Sequence, residues 1–453
     1  MALRDLLWPR RALRALAVVI VLAAALAAGA APTTSIPFSP DLALRTFDAA
    51  WQIINDTYFD TKFNGVDWPA VRDELRPKAA AAKNMDELRG VVREMLGRLK
   101  QSHFGLLPRD LAEAATESAV GGGGDIGAEV RRVGNLVLVS RVDAGGPAAQ
   151  AGVRPGWLVA AVGNTRVTDL LLNLPSDLDP RLAARIGTAI VARRLAGTPG
   201  STVSVEFLNE RNDTVTLSFV RRKEPGETLK MGFLPPFTAR LEKERVSAPG
   251  GASVGVIAFN IWMLPNAKLL DLAIDEFRSA DGIVLDLRGN PGGVGAMVMG
   301  LAGHFLTEKT SLGTQIMRDA QLQMIAQPRR VNPAGQRVEP FTGPVAVLVD
   351  GFSGSASELF GNSMQAIGRV RVFGEPSAGA VLGSAVDRLP NGDALQHAFA
   401  DFLNAKGQHP EGNGVTPDEI VPLTRADLLA GRDAPFDAAL RWIDAQRAAK
   451  APH

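Results

Sequence analysis

The sequence predicts an α/β multidomain protein: a helical segment first, a β-rich unit in the middle and an α/β core after it. Three observations carry this. Residues from about 40 to 115 set apolar side chains at helical spacing. Residues 121–223 read as short strands and a hairpin between glycine turns. From about 250, near-continuous apolar strands alternate with helices, the pattern of a parallel sheet covered on both faces.

The chain has 453 residues, more than one core usually holds, so two or three domains are expected. With 46% hydrophobic and 21% charged residues it is a folding chain, and its net charge of +1 points to neither nucleic acid nor a membrane surface. It has no cysteine, which removes disulfides, thiolate zinc sites and thiol nucleophiles together, and an acylated lipoprotein cysteine with them. The first residues, MALRDLLWPRRALR, carry four arginines against one aspartate and precede the apolar run ALAVVIVLAAALAAGAA. With small residues at Ala28, Gly29 and Ala30, this spells a secretory signal peptide over 1–30 and a periplasmic or secreted bacterial protein. An uncleaved signal retained in a membrane is the alternative, because the run approaches a bilayer span.

Phe47, Trp51, Ile54 and Tyr58 make one apolar stripe. Asn84 is positioned to cap a helix whose apolar face is Leu88, Val91, Val92, Met95 and Leu99. The loop KQSHFGLL follows, with Ser102 and His103. Glycines at 121–124 mark a hinge. After it, DIGAEVRRVGNLVLVSRV and WLVAAVGNTRV read as strands, LAARIGTAIVARRLAG as a helix ending by Gly197, and STVSVEFLNERNDTVTLSFVRR as a hairpin around Asn212-Asp213. In the last part, ASVGVIAFN, GIVLDLRGN, GPVAVLVD and RVRVFGE are strands, with helices between them that include VGAMVMGLAGHFL and ASELFGNSMQAIG. FDAALRWIDAQRAA closes the chain as a helix.

DGFSGSASELF, 350–360, joins a buried strand to a helix and holds Ser353, Ser355 and Ser357. A serine there is ordinarily an N-cap, and Ser357 reads as the cap and Ser353 as a turn former. Acyl transfer, however, needs a nucleophile on such a turn, a base, and N–H groups for an oxyanion. DLRGNPGG, 286–293, would present N–H groups at a helix start; it lacks the Lys and Ser/Thr of a phosphate loop and does not match G-x-G-x-x-G. Asp286 and Arg288 read as a structural pair at a strand end.

GIVLDLRGNPGG, VLVDGFSGSASELF, GRVRVFGEPSAG and EGNGVTPD occur in the order and spacing of the tail-specific, C-terminal processing serine peptidases, and the chain resembles that superfamily, tricorn-type members included. The resemblance implies a crotonase/ClpP-like α/β peptidase core with an inserted PDZ-like domain. The expected division is a helical domain over 35–118, a PDZ-like domain over 121–223, the peptidase core over 224–424 and a C-terminal helix over 425–453.

The same resemblance makes Ser355 the nucleophile of a serine endopeptidase, with oxyanion donors at Ala356 and the Gly292-Gly293 turn. Processing peptidases with a Ser-Lys dyad carry lysine where this chain has Ala380, and a methyl group accepts no proton. Tricorn-type members use a histidine ahead of the PDZ domain and a later glutamate, which implies His103 as base with Ser102 and Glu411 behind it. Among the other histidines, His409 is the rival base; His304 reads as packed within a helix, and His397 and His453 are the remainder. Asp125, Ile126, Gly127 and Ala128 would bind a peptide terminus by strand addition, with Asp125 opposing a carboxylate. Substrates are thus proteins or peptides recognised at or near their C-termini; no cofactor and no metal is implied. Two alternatives stay open: a non-catalytic peptide or ligand binder on the same scaffold, and a crotonase-like acyl enzyme, against which the export signal argues.

Overall fold

Ser39 starts the first helix by accepting the Leu42 N–H (3.1 Å), and Pro40 takes the first helical position, where a missing N–H is harmless. In this computed structural model, residues 36–109, 123–172, 180–230 and 236–450 are described. The expected signal segment at 1–30 and His453 lie outside them. Helix α1 is Pro40–Thr57, α2 is Trp68–Ala81, and α3, Met85–Gly97, is capped by Asn84, which accepts the Glu87 N–H (2.9 Å). The Phe47–Trp51–Ile54–Tyr58 stripe is buried against Leu88, Val92, Met95 and Leu99. Strand β1, Gly105–Leu107, then carries the chain away from these helices.

The next part builds its own sheet. Its elements are β2 (Gly124–Asp125), β3 (Ala128–Val133), β4 (Leu136–Val142), α4 (Pro147–Gln150), β5 (Leu158–Val162), β6 (Thr165–Arg166), α5 (Val167–Leu172), α6 (Pro180–Leu195), β7 (Thr202–Leu208), β8 (Thr214–Val220) and β9 (Arg222–Lys223). The strand order is β3-β4-β5-β7-β8, with β6 on β5 and β2 paired to β9, so β3 is an edge strand, and α6 packs beside it. Ile126, Val139, Val159, Val191, Leu195 and Phe207 fill the space between helix and sheet.

Strands β10 (Glu227–Leu229), β11 (Phe237–Ala239) and β12 (Leu241–Ser247) show no clear alternation in the sequence. β12, LEKERVS, is mostly exposed, because it is the antiparallel edge of the main sheet, where charge is tolerated. The core follows as β13 (Ser253–Phe259), α7 (Leu264–Glu276), β14 (Gly282–Asp286), α8 (Ala296–Ala302), β15 (Thr310–Met317), β16 (Gln321–Ala326), β17 (Val345–Val349), α9 (Ala356–Ala366), β18 (Arg371–Gly374), β19 (Gly383–Arg388), β20 (Ala394–Asn404), β21 (Glu419–Ile420), α10 (Arg425–Leu429) and α11 (Ala434–Lys450). The main sheet runs β12-β13-β14-β17-β18-β21, parallel from β13 onward. Its pleat divides two cores: Ile283, Leu285, Val345 and Val347 pack with α7 and α9 residues, whereas Val284, Ala346 and Leu348 face Ile443 of α11. Continuous apolar strands follow from this two-sided burial.

Helix α8 ends at Ala302, two residues short of His304, which therefore sits in the turn beyond the helix and not within it. A second sheet, β1-β20-β15-β16 with β19 on β20, joins the N-terminal helical part to the later core. β1 pairs antiparallel with β20, Leu106 opposite Leu395, and the N-terminal helices share their core with Leu382, Leu389, Leu395 and Ala398. The buried Arg89 donates twice to Asp393, at 2.9 Å each. These links hold residues 102–103 against the core. Among the described residues, no helix is long and apolar enough to cross a membrane.

Candidate active site

β17 and β14 are neighbouring parallel strands, so the turns after them lie side by side at their C-terminal ends. Asp350 ties the two turns together: its Oδ1 accepts from Gly289 N–H (3.0 Å) and Phe352 N–H (3.0 Å), and Ser353 Oγ donates to Leu287 O (2.8 Å). Ser353 is thus a turn former. The structure corrects the reading of Ser357 as the cap. Ser355 holds the N-cap position of α9; Ser357 is inside the helix and fully buried, donating to Asn290 O (3.0 Å) while accepting from Trp262 Nε1 (2.8 Å). Ser357 therefore bolts the glycine turn to the helix.

Ser355 has φ 50° and ψ −116°, a left-handed backbone that a residue with a Cβ rarely adopts. Such strain persists only where the surroundings over-determine it. What does so here is Glu358, which the sequence reading passed over, although the Ser-x-x-Glu spacing of a capping box was available to find it. Its buried carboxylate accepts from Ser355 N–H (3.0 Å), Ala380 N–H (2.9 Å), Gly379 N–H (2.6 Å) and Ser377 Oγ–H (2.5 Å). Burial pushes its pKa up despite these bonds. Ser355 N–H also points at Ala380 O (2.8 Å).

The glycine turn presses on Ser355. A Cβ at Gly292 (φ +103°) would lie 2.6 Å from Ser355 Cβ and 2.9 Å from Ala356 N. The N–H of Gly292, one of the expected oxyanion donors, donates here to Asn290 Oδ1 (3.0 Å). Among the described residues, hydrogen bonds engage neither Gly293 N–H nor Ala356 N–H. The second of these is the first N–H of α9, where the helix dipole favours negative charge.

His103 stands at the end of the arm made by α3 and β1, with φ 61°. Its Nδ1 lies 2.7 Å from Ser102 Oγ. Glu411 reaches this pair through the backbone: Oε1 accepts the Ser102 backbone N–H (3.0 Å) and Oε2 accepts Val381 N–H (2.9 Å). Ser102, His103 and Glu411 are therefore brought together. The Ser355 group meets them through adjacent residues, Ala380 bonding Ser355 and Val381 bonding Glu411. Among the described residues, no hydrogen bond joins His103 to Ser355; catalytic bonds often tighten only once substrate is bound. Burial, helped by the positive charge of Arg185 on α6, lowers the His103 pKa to about 4, so the imidazole is neutral at pH 7. Ala380, buried against this strip, carries no proton acceptor.

Among the described residues, the other histidines are engaged elsewhere. His304 Nε2 meets Asp271 (2.8 Å), His397 lies between Thr57 Oγ1 (3.0 Å) and Asp387 (2.8 Å), and His409 Nδ1 pairs with Asp401 (3.0 Å). Arg288 is structural: it donates to Asp286 Oδ1 (2.9 Å) and Oδ2 (2.6 Å) and to both oxygens of Asp433 (2.7 and 2.8 Å), pinning α11 to the glycine turn. Asp125 ends β2 and Ala128 begins β3, with Ile126 and Gly127 the link between them; Asp125, Ile126 and Ala128 line a cavity of about 880 Å³ between β3, α6 and the main sheet. Arg131 of β3 reaches Asp350 across it (3.1 Å). Among the described residues, no group of three His, Asp or Glu side chains is arranged to hold a metal.

Residues 253–421 match the family described as Peptidase family S41, and residues 44–97 match the Tricorn protease C1 domain. The carboxyl-terminal-processing protease of Picosynechococcus sp. is 27% identical over 409 residues, covering 88% of this chain and 89% of that protein. Tricorn protease homolog 1 of Streptomyces coelicolor is 26% identical over 416 residues, 87% of this chain but only 34% of the relative. The photosystem II D1 C-terminal processing protease has the same fold, with a TM-score of 0.55 at 22% identity, over 91% of this chain and 99% of that one. With the strand–turn–helix serine and its glycine turn inside the matched segment, the chain is a serine-type peptidase that carries a Peptidase family S41 segment over residues 253–421.

Proposed function

We propose that this chain is an exported endopeptidase that cuts protein substrates at or near their C-termini, with Ser355 as nucleophile and His103 as base. In this reading His103 Nε2 takes the Ser355 Oγ proton as Oγ attacks the scissile carbonyl carbon. The carbonyl π pair becomes an oxyanion held by the N–H groups of Gly293 and Ala356. The imidazolium then returns the proton to the departing amide nitrogen, leaving an acyl-serine ester that water, activated by the same imidazole, hydrolyses. Ser102 and Glu411 position the imidazole, and Glu358 positions the serine backbone. The observation that carries the reading is the left-handed Ser355 at the start of α9, beside two N–H groups that make no other bond. Export is supported by the basic and apolar start of the sequence, and the β3–α6 groove is read as a PDZ-like substrate channel. The test is labelling by a fluorophosphonate probe. The parent should label, and Ser355→Ala and His103→Ala should not; equal labelling of all three proteins would sink the assignment.

A further inference from the structure

The edge strand β3 presents its free side to α6, and Arg132 N–H donates across to Thr188 Oγ1 (3.0 Å). An extended segment can add to such an edge, and a terminal carboxylate would be held where successive loop N–H groups converge, at Ile126, Gly127 and Ala128. In this chain one of those donors is committed. Gly127 N–H donates to Asp125 Oδ1 (3.1 Å), and the same oxygen accepts Arg222 Nε (2.9 Å). Arg222 also pairs with Asp143. Its guanidinium rests on the loop, where a Cβ at Gly127 or Gly146 would lie 3.3 or 3.4 Å from its nitrogens. The cation flanking the loop is thus neutralised by two carboxylates, and one carboxylate already fills the donor at Gly127.

A second observation points the same way. Glu224 lines this end of the cavity, its N–H donating to Gly123 O (2.7 Å). Burial raises its pKa, opposed by Thr238 and the charge of Arg240 and reinforced by the charges of Asp125 and Glu129. At this loop an arriving carboxylate would meet the Asp125 and Glu224 carboxyls and no uncommitted counter-charge from Arg222.

We propose that Asp125 is a specificity-determining residue that stands in for a substrate carboxylate, so that the groove takes the interior of an extended polypeptide and not its free carboxyl terminus. This rests on reading the β3–α6 groove as the substrate channel. It refines recognition near the C-terminus: the tail would run past the Asp125 loop instead of ending in it.

The test uses the full chain carrying Ser355→Ala and fluorescence anisotropy with a fluorescein-labelled, alanine-rich decapeptide. The peptide is supplied as the free acid, as the C-terminal amide, and extended beyond the same sequence. The amide and the extended peptide should bind at least as tightly as the acid. Asp125→Ala, which frees both Gly127 N–H and Arg222, should shift preference toward the acid by about tenfold, one charge-assisted bond's worth. Asp125→Asn, which can keep the loop bond, should shift it less and guards against a misfolded Ala variant. A parent that binds the acid about tenfold tighter than the amide overturns the proposal. Failure of all three peptides to bind also overturns it, while fluorophosphonate labelling of the unsubstituted chain would show that the peptidase assignment still stands.

Discussion

Replacing Gly292 by alanine tests whether the glycine turn sets the nucleophile. The new methyl would sit 2.6 Å from Ser355 Cβ, 2.7 Å from Gly354 O and 2.9 Å from Ala356 N, whereas ordinary contact begins at 3.4 Å. The serine and the glycine turn must therefore part by about 0.8 Å, and φ +103° adds strain of about 1–3 kcal/mol in a residue with a Cβ. Neither side gives easily. Ser357 bonds Asn290, Glu358 bonds Ser355, and Trp262 N–H bonds Gly292 O (2.9 Å). A displacement near 1 Å at a reacting atom costs about 100-fold in rate, so kcat/KM should fall by about that factor. Stability should fall by only about 1–3 kcal/mol. Gly295, in the same stretch, has room for a methyl, whose nearest neighbour would be Leu359 Cδ1 at 3.6 Å; Gly295→Ala should stay close to the parent. The assay is the rate of fluorophosphonate labelling and of peptide hydrolysis, with a thermal melt beside each. A Gly292→Ala protein that labels at the parent rate would refute the idea that this contact positions Ser355.

Three further outcomes follow from the same geometry. If His103 is the proposed base, it must be neutral to act, and with its pKa lowered to about 4 activity should persist down to about pH 4 and vanish below it; an acid limb near 6.5 would mean that the base is another group. Glu358→Gln turns an amide NH2 toward the backbone donors on one oxygen and should leave one of them, Gly379 N–H or Ala380 N–H, without an acceptor, at about 1–3 kcal/mol, offset in part by loss of a buried charge whose pKa burial raises. Labelling should drop by far more than the melting temperature suggests, and an unchanged rate would remove Glu358 from the positioning role. Glu411→Gln should lower kcat with KM nearly unchanged, since Glu411 holds Ser102 and Val381; a change confined to KM would contradict this.

The apolar patterns were legible because burial imposes them locally. Two-sided strands such as β17 read as unbroken apolar runs, and the Phe47–Tyr58 stripe reads as one helix face. β12 was not legible, since an exposed edge strand imposes no alternation. His304 was misplaced because nothing apolar marks the end of α8; the helix stops where Gly303 must fit against Gln327 O, a residue distant in sequence. Ser357 was misread as a cap because its partners, Asn290 and Trp262, lie more than sixty residues away.

Local order in the chain thus determined the elements, the turn that carries Ser355, the alanine at 380 and the set of histidines from which a base could come. Tertiary structure alone decided which N–H groups stay unbonded, since Asn290 takes Gly292 and leaves Gly293. It also decided that the 102–103 loop lies beside the Ala380–Val381 strip, through β1 pairing with β20 and Glu411 bonding both. Hydrogen bonds between residues hundreds of positions apart depend on how sheets close, and spacing along the chain carries no record of that.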